Sequence, residues 1–339
     1  MEHRPLGRTG IQVSRFGLGA MVLGAWGNTD PAACDRIINA ALDAGVNLVD
    51  TADTYADGQN EEIVGAAIRS RRSEVVLCTK FHHPVGDHGD PNRRGNSRRW
   101  IMQAVDDSLR RLGTDWIDLY QAHRPDPDTE LDETVDALTD LVRAGKIRAW
   151  GTSTFPAEEL VAAHWSADRR GSVGPHCEQP PYSILCRGIE RDVLPTAQRL
   201  GMGILTWSPL SGGWLTGKYT REEPTPPGSR GATEPDHFDV ANPAKFGAVE
   251  QLGAVAADAG LSITHLSLAW NVEHPAVTAA LIGPRTEDQL VDLLGAASVR
   301  LDRDVLDAVD AVVAPGTNVN QADTGWTPPA LDAARRRRP

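Results

Sequence analysis

Cysteine is scarce in this sequence, and its four cysteines include no Cys-x-x-Cys pair. Two of them, Cys78 and Cys177, fall in apolar, strand-like runs, where a small buried thiol is the usual arrangement. Scattered cysteines of this kind are typical of a reducing compartment, so we predict a cytoplasmic protein. We also predict no metal site, because His82 and His83 are adjacent and lack the spacing of ligands on a helix.

Long apolar runs are absent as well. No stretch approaches the roughly 18 consecutive apolar residues that a membrane helix needs. The segment Met1–Pro5 is not followed by the apolar core of a signal peptide. We therefore expect neither a membrane span nor a membrane partner.

Positive charge is in the minority, since 34 lysines and arginines face 46 aspartates and glutamates, a formal net charge of −12. Nucleic acids and anionic membranes are bound by clustered basic surfaces. The one strong basic cluster is Arg335–Arg338, which we interpret as a solvated tail. The composition predicts no nucleic-acid partner and leaves the oligomeric state open.

The sequence does contain a regular alternation of short apolar runs and longer segments with helical periodicity. Apolar residues make up 40% of the 339 positions, enough for a globular core. The predicted strands are Phe16–Met21, Val46–Val49, Val75–Thr79, Trp116–Tyr120, Ile147–Thr152, Pro175–Gln179, Gly203–Trp207 and Val277–Ile282.

Eight strand-then-helix units predict an α/β fold, a closed (β/α)8 TIM barrel. The alternative, an open doubly wound sheet, needs a glycine-rich turn after its first strand, and Gly17-Leu18-Gly19 lacks the third glycine. We predict one barrel domain over residues 1–315 and a C-terminal tail over 316–339. Leu210–Asn242, after the seventh strand, is rich in Gly and Pro and is interpreted as a functional loop or lid. Arg303–Val313 is an additional C-terminal helix.

Polar residues follow the predicted strands at the barrel rim where such folds carry their chemistry. Asp50, Lys80 and His123 stand at three consecutive strand exits. Lys80 is informative because the sequence has only four lysines, and a lysine can share charge with a carboxylate and shift its pKa. The remaining exits carry Ser153, Gln179, Trp207 and Arg285.

Seven segments in order resemble motifs of the aldo-keto reductases. They are Asp50–Tyr55, Thr79–Phe81, Gln121–Asp126, Gly151–Ser153, Glu178–Pro180, Trp207–Leu210 and Ile282–Leu290. The resemblance covers roughly residues 4–315. Within that family the segments are similar to the bacterial aryl-alcohol dehydrogenase group, to potassium-channel β-subunits and to keto-deoxysugar reductases.

The resemblance implies an NADPH-dependent reduction of an aldehyde or ketone, with four catalytic residues. Tyr55 is expected to protonate the carbonyl oxygen. Lys80, held by Asp50, is expected to stabilise the phenolate and lower the pKa of Tyr55. His123 is expected to donate a hydrogen bond to the substrate oxygen.

The resemblance also implies the binding residues. Ser153 and Gln179 are expected to bond the nicotinamide carboxamide, with Trp207 stacked on its ring. Arg285 is expected to pair with the 2′-phosphate, which favours NADP(H) over NAD(H). The other expected cofactor contacts are Met21, Ser208, Pro209, Leu210, Gly212, Lys218, Gly283 and Gln289. The expected substrate contacts are Trp26, Tyr55, His82, His123 and Arg124.

The sequence departs from the family pattern at three points. Ala56 replaces the usual glycine after the tyrosine, Thr154 replaces an asparagine, and Asp292-Leu293 replaces a Glu-Asn pair. These changes affect the catalytic turn, one carboxamide contact and the adenine pocket, but none of the four catalytic residues.

Three alternatives stay open at this point. One is an NADP(H)-binding redox-sensing module with slow turnover, and a second is a keto-deoxysugar reductase in natural-product biosynthesis. The third is an unrelated barrel lyase or isomerase that needs no nicotinamide.

Overall fold

The computed structural model describes residues 1–86, 89–234 and 240–331. The chain begins with an antiparallel hairpin of β1 (His3–Pro5) and β2 (Gln12–Ser14). Leu6 and Val13 of this hairpin are fully buried and pack against apolar residues of the barrel strands. The hairpin therefore closes one end of the barrel.

Eight parallel strands form a closed barrel in chain order, with the last strand paired to the first. They are β3 (Phe16–Gly19), β4 (Leu48–Asp50), β5 (Val76–Phe81), β6 (Ile117–Ala122), β7 (Ile147–Ser153), β8 (Cys177–Gln179), β9 (Gly203–Thr206) and β10 (Ala279–Ile282). The predicted (β/α)8 barrel is confirmed. The parallel register places Gly19 opposite Asp50 and Lys80 opposite Gln121, so the strand exits share one rim.

Helices cover the outside of the barrel. They are α1 (Pro31–Asp43), α2 (Gln59–Ile68), α3 (Arg98–Leu112), α4 (Leu131–Arg143), α5 (Ala157–Arg170), α6 (Val193–Leu200), α7 (Arg230–Thr233), α8 (Pro243–Asp258), α9 (Ile263–Glu273), α10 (Glu287–Gly295) and α11 (Arg303–Val312). Several of these helices begin after a residue whose side chain caps the N-terminus; the Ser97 hydroxyl, for example, accepts a hydrogen bond from the Trp100 amide. The additional C-terminal helix is thus present as α11.

The loop between β9 and α8 is anchored by aromatic packing. It contains a 3₁₀ segment at Ser211–Thr216 and the short helix α7. Trp214 packs against Tyr219 and against Phe246 of α8, with ring centroids 5.1 and 5.0 Å apart. This loop is the predicted long segment after the seventh barrel strand, and its described residues lie against the rim, where Gly228 accepts from Arg285.

The described part of the C-terminal tail, residues 316–331, packs along the loop after β8. The amide of Val319 donates to the Leu185 carbonyl at 2.9 Å, and the Gly188 amide donates to Asn318 Oδ1 at 2.7 Å. Lys245 of α8 is buried and pairs with Asp323 at 2.9 Å. The boundary at residue 315 stays a prediction, and Arg335–Arg338 lie outside the described residues.

No single helix in the described ranges has the length and apolar composition to cross a membrane. Helices α8 and α9, which meet at 90°, pass that test only as a bent pair.

All four cysteines are buried, and none of them forms a disulfide. Burial of Cys78 and Cys177 agrees with the prediction from the sequence.

Candidate active site

Lys80 and Asp50 form an ion pair inside the barrel. Both lie at strand ends, Lys80 on β5 and Asp50 on β4. Lys80 is fully buried, and its Nζ donates to Asp50 Oδ1 at 2.6 Å and to the Thr51 carbonyl at 2.8 Å. Burial acts to lower the pKa of Lys80, but Asp50 and then Tyr55 outweigh it, so the pKa is raised. The lysine therefore remains an ammonium near neutral pH.

Tyr55 lies above this pair, on a turn with a left-handed backbone. Lys80 Nζ is 3.5 Å from the Tyr55 hydroxyl. Ala56 and Asp57, which follow, have φ values of 48° and 53°. Ala56 thus adopts the conformation that the family's glycine adopts readily, at a cost of roughly 1–2 kcal/mol for a residue with a Cβ atom. The bond from the Gly86 amide to Asp57 Oδ1, 3.2 Å, supports this turn.

Burial raises the pKa of the Tyr55 phenol, and Lys80 acts in the opposite direction. The sign of the lysine's effect agrees with the expectation from the family, but burial outweighs it. The phenol is therefore protonated at neutral pH and has a proton to donate.

His123 follows β6 and faces Tyr55. The two ring centroids are 5.8 Å apart with the planes at 75°. Burial, then Lys80 and Arg124, hold the pKa of His123 well below its ordinary value. Its Nδ1 has no hydrogen-bond partner within the part of the chain that the structure describes. A neutral imidazole of this kind can donate one N–H to an oxygen.

A buried hydrogen-bond network connects four barrel strands, β4, β6, β7 and β8, beside the tyrosine. Gln179 Nε2 donates to Asp50 Oδ2 at 2.8 Å and to Gln121 Oε1 at 3.1 Å. Ser153 Oγ donates to the Gln179 carbonyl at 2.9 Å. The donors of Gln179 and Ser153 are therefore used inside the protein, which leaves their oxygens as acceptors for an external N–H.

Glu178, to which the sequence reading assigned no role, supports the turn after β7. It is fully buried and accepts from Thr152 Oγ1 at 2.5 Å and from the Phe155 amide at 3.1 Å. Between them Thr154, which replaces the family's asparagine, has a left-handed φ of 62°. Burial raises the pKa of Glu178 to about 8. Its place beside Gln179 in one motif was the signal available in the sequence.

A concave stretch of backbone follows Trp207 at the exit of β9. Ser208, Ser211, Gly212 and Gly213 have φ values of 58°, 50°, 65° and 105°. Successive residues of this kind turn their amides toward a common point and favour anions. Three of these residues, Ser208, Ser211 and Gly212, line a pocket of 180 Å³ together with Trp207 and Arg230. The tail contributes Ala322, Asp323 and Gly325 to the same pocket.

Three cationic side chains converge beside this stretch. Burial lowers the pKa of Lys218, and the charges of Arg285 and Arg230 lower it further. Lys218 also covers Gly213, where an added Cβ atom would lie 2.8 Å from its Nζ. Sequence reasoning found Lys218 and Arg285 but missed Arg230, which lies in α7 and belongs to none of the motifs.

Arg285 connects the exit of β10 to the long loop. Its Nη1 donates to the Gly228 carbonyl at 3.0 Å, and its amide donates to Gln289 Oε1 at 2.8 Å. Gly283 lies against β3, because an added Cβ atom would be 3.7 Å from the Gly19 carbonyl. Met21, half-buried, follows β3 on the same rim.

Two of the predicted substrate residues, Trp26 and His123, lie beside Tyr55 at the mouth. Trp26 is 50% exposed, and its ring centroid is 5.8 Å from that of Tyr55. His82 has a φ of 133° and its Nδ1 lies 2.9 Å from Asn96 Oδ1. His83, which the predicted set omitted, packs against His123, with the two ring centroids 5.0 Å apart. No group of three or more His, Cys, Asp or Glu side chains suited to a metal ion occurs among residues 1–86, 89–234 and 240–331.

The structure thus brings a buried lysine–carboxylate pair, a tyrosine and a histidine together at the carboxyl rim of a (β/α)8 barrel. Residues 15–314 match the Aldo/keto reductase family. The chain belongs to this family, as the resemblance of its motifs predicted.

Similar proteins come from plants and bacteria. The chain is 38% identical to the "Probable voltage-gated potassium channel subunit beta" of Oryza sativa subsp. japonica, over 92% of this chain and 97% of that one. It is 39% identical to "Uncharacterized oxidoreductase YrpG" of Bacillus subtilis, over 95% and 99% of the two chains. "Aldo-keto reductase YhdN" of Bacillus subtilis is 39% identical, over 86% and 87%. The family and these relatives support a general oxidoreductase function.

Proposed function

We propose that this protein reduces an aldehyde or ketone to the alcohol, with NADPH as the hydride donor and Tyr55 as the proton donor. The observation that supports this most strongly is the contact of the Tyr55 hydroxyl with Lys80 Nζ at 3.5 Å, above the ion pair with Asp50. When bound, NADPH supplies the hydride.

The proton step belongs to the protein. As the carbonyl carbon gains a hydride, the Tyr55 O–H bond breaks and an O–H bond forms on the substrate oxygen. Lys80 stabilises the phenolate that remains, and Asp50 keeps Lys80 charged and fixed. His123 donates its N–H to the same substrate oxygen, which orients the carbonyl and stabilises its developing charge.

The residues near β7 to β10 fit a nicotinamide dinucleotide. Trp207 offers an indole face, and the acceptor oxygens of Gln179 and Ser153 suit the NH₂ of a carboxamide. The left-handed stretch from Ser208 to Gly213 with Lys218 suits a pyrophosphate. Arg285, whose planar guanidinium suits a phosphate, favours NADPH.

The test is NADPH consumption against a panel of aldehydes, ketones and keto-sugars, with Tyr55→Phe as the matched variant. Tyr55→Phe removes one hydroxyl, so it should lower kcat by at least about a hundredfold, the scale of general acid catalysis. The affinity for NADPH, measured by the quenching of tryptophan fluorescence, should change little. Near-normal turnover by Tyr55→Phe would refute the proton-donor role.

A second candidate is a redox-sensing module that binds NADP(H) and turns over slowly. The observation that favours it is the similarity to the rice protein and to an Arabidopsis thaliana protein of the same printed name. It predicts tight NADPH binding together with poor turnover of every carbonyl in the panel, whereas a reductase predicts rapid turnover of at least one.

A further inference from the structure

A cavity of 290 Å³ lies between helix α3 and the segment after β4 that carries Tyr55. That segment contributes Asp53 and Asp57 to the cavity wall, and α3 contributes Trp100 and Ala104. The four catalytic residues and the expected cofactor contacts do not line it. Its volume is close to the roughly 300 Å³ at which pockets for small molecules begin. The cavity is therefore large enough for a small ligand and is separate from the candidate active site.

Four buried polar atoms of the cavity wall have no hydrogen-bond partner within the part of the chain that the structure describes. Two are acceptors, Oδ1 and Oδ2 of Asp53, and two are donors, Nε of Arg93 and Nε1 of Trp100. Asp53 is fully buried, and Trp100 is only 2% exposed. Because buried polar groups are nearly always satisfied, four such atoms around one cavity indicate a partner from outside the chain.

The arginines of the cavity wall are already paired with other carboxylates. Arg111 Nε donates to Glu61 Oε2 at 2.7 Å. Arg110 Nη2 donates to Asp107 Oδ1 at 2.8 Å, and Arg93 Nη2 lies 3.6 Å from Asp107 Oδ2. Among the described ion pairs, the buried aspartate of the wall therefore has no cation of its own, whereas Arg93 uses Nη2 and keeps its Nε without an acceptor.

We propose that this cavity binds a small zwitterion, an amino acid whose ammonium group donates to Asp53 and whose carboxylate accepts from Trp100 and Arg93. An ammonium group has only donors and so matches the two carboxylate oxygens, whereas a carboxylate has only acceptors and matches the two N–H groups. Hydrogen bonds of this kind, assisted by a charge, are the stronger ones. The proposal does not depend on the proposed reductase function, because the cavity is a second site.

The first test is a calorimetric titration of the whole chain with unbranched ω-amino acids from glycine to 6-aminohexanoate, a series that varies the spacing between the two charges. The best ligand should bind at least about tenfold tighter than the amine and the carboxylic acid of matched chain length, the scale of one charge-assisted hydrogen bond. Equal affinities for the three compounds, or no binding of any of them at millimolar concentration, would overturn the proposal.

Two substitutions test the two ends of the site separately. Asp53→Asn keeps the shape of the side chain and removes its charge, so it should weaken the amino acid and the amine by about tenfold or more without weakening the carboxylic acid. Trp100→Phe keeps an aromatic ring and removes Nε1, so it should weaken the amino acid and the carboxylic acid but not the amine. Equal effects on all three compounds, or an unchanged affinity for the amino acid, would contradict this arrangement.

Two further variants show where the compounds bind. Ala104→Leu fills part of the cavity without changing a charge, so it should lower the affinity for all three compounds by about tenfold or more. Asp35→Asn, on α1, changes an exposed carboxyl group outside the cavity wall and should alter none of these affinities. Thermal unfolding of each variant checks that the barrel is folded. Unchanged binding in a folded Ala104→Leu variant would place the compounds elsewhere and overturn the proposal.

Discussion

Glu178 is a buried carboxyl group whose protonation differs between the folded and the unfolded chain. Its pKa is about 8 in the folded protein, raised by burial from its ordinary value of 4.5. Between those values the unfolded chain binds fewer protons, so the free energy of unfolding falls as pH rises through this window. The slope is at most about 1.4 kcal/mol per pH unit.

We predict that Glu178→Gln removes this pH dependence. Its amide can accept from the Phe155 amide and donate to Thr152 Oγ1, so it fits both contacts of the carboxyl group. Urea unfolding at pH 6 and pH 8 is the measurement. The variant should gain stability relative to the parent at pH 8 and much less at pH 6. A stability difference that is equal at both pH values would contradict the raised pKa.

Arg285 is the second single residue that carries a prediction, because we propose that it selects NADPH over NADH. Its guanidinium donates to the Gly228 carbonyl and contributes to the positive potential at Lys218. Arg285→Ala should weaken NADPH binding by about tenfold or more, the scale of a lost charge-assisted bond, and should weaken NADH binding less. Equal losses in fluorescence titrations with the two cofactors would remove its assignment to the 2′-phosphate.

At the scale of elements, the N-terminal hairpin matters because it closes the barrel. Gly7 has a φ of 54°, and an added Cβ atom would lie 2.7 to 2.8 Å from backbone atoms of Gly203, Gly201 and His176. Gly10, in the same hairpin, has a φ of 80° and open space around it. Comparing a substitution at Gly7 with the same substitution at Gly10 therefore separates the cost of a left-handed backbone from the cost of a steric conflict.

We predict that Gly7→Ala destabilises the protein by at least about 2 kcal/mol more than Gly10→Ala does. Both substitutions incur the left-handed penalty, but only the first forces backbone against backbone at the ends of β8 and β9. Thermal and urea unfolding of the two variants measure the difference. Similar losses in both would mean that the hairpin can move away from the barrel at little cost.

The elements were the most predictable part of the molecule, because a strand or helix is encoded by local periodicity. All eight barrel strands were anticipated, although β8 begins at Cys177, after Pro175, which has no amide to donate. Asp50, Lys80 and His123 could be placed on one rim because parallel strands share a direction. Arg230 and Glu178 could not be assigned, since their contacts depend on how the loops fold back over the rim.

On the scale of the whole molecule, the tail and the candidate cofactor site are structurally connected. An added Cβ atom at Gly325 would lie 2.7 Å from Trp207 Cζ2, so the tail backbone lies directly against the indole. The ion pair of Asp323 with the buried Lys245 holds this segment on α8. No sequence pattern predicted this contact, because residues 245 and 323 belong to segments without a shared motif.

Asp323→Asn should release the tail, since it leaves the buried Lys245 ammonium without its counter-charge, a loss of about 3–5 kcal/mol for a buried pair. Release of the tail should cost less free energy than unfolding of the barrel, because few hydrogen bonds hold the tail, such as those that Val319 donates to Leu185 and Gly188 donates to Asn318. Limited proteolysis should then cut within residues 316–331, and NADPH affinity should fall because Trp207 loses the backbone behind it. Asp304→Asn, an exposed substitution on α11, is the control and should change neither. If Asp323→Asn leaves the tail protected and the NADPH affinity intact, the tail is held by its backbone bonds alone and does not position the indole.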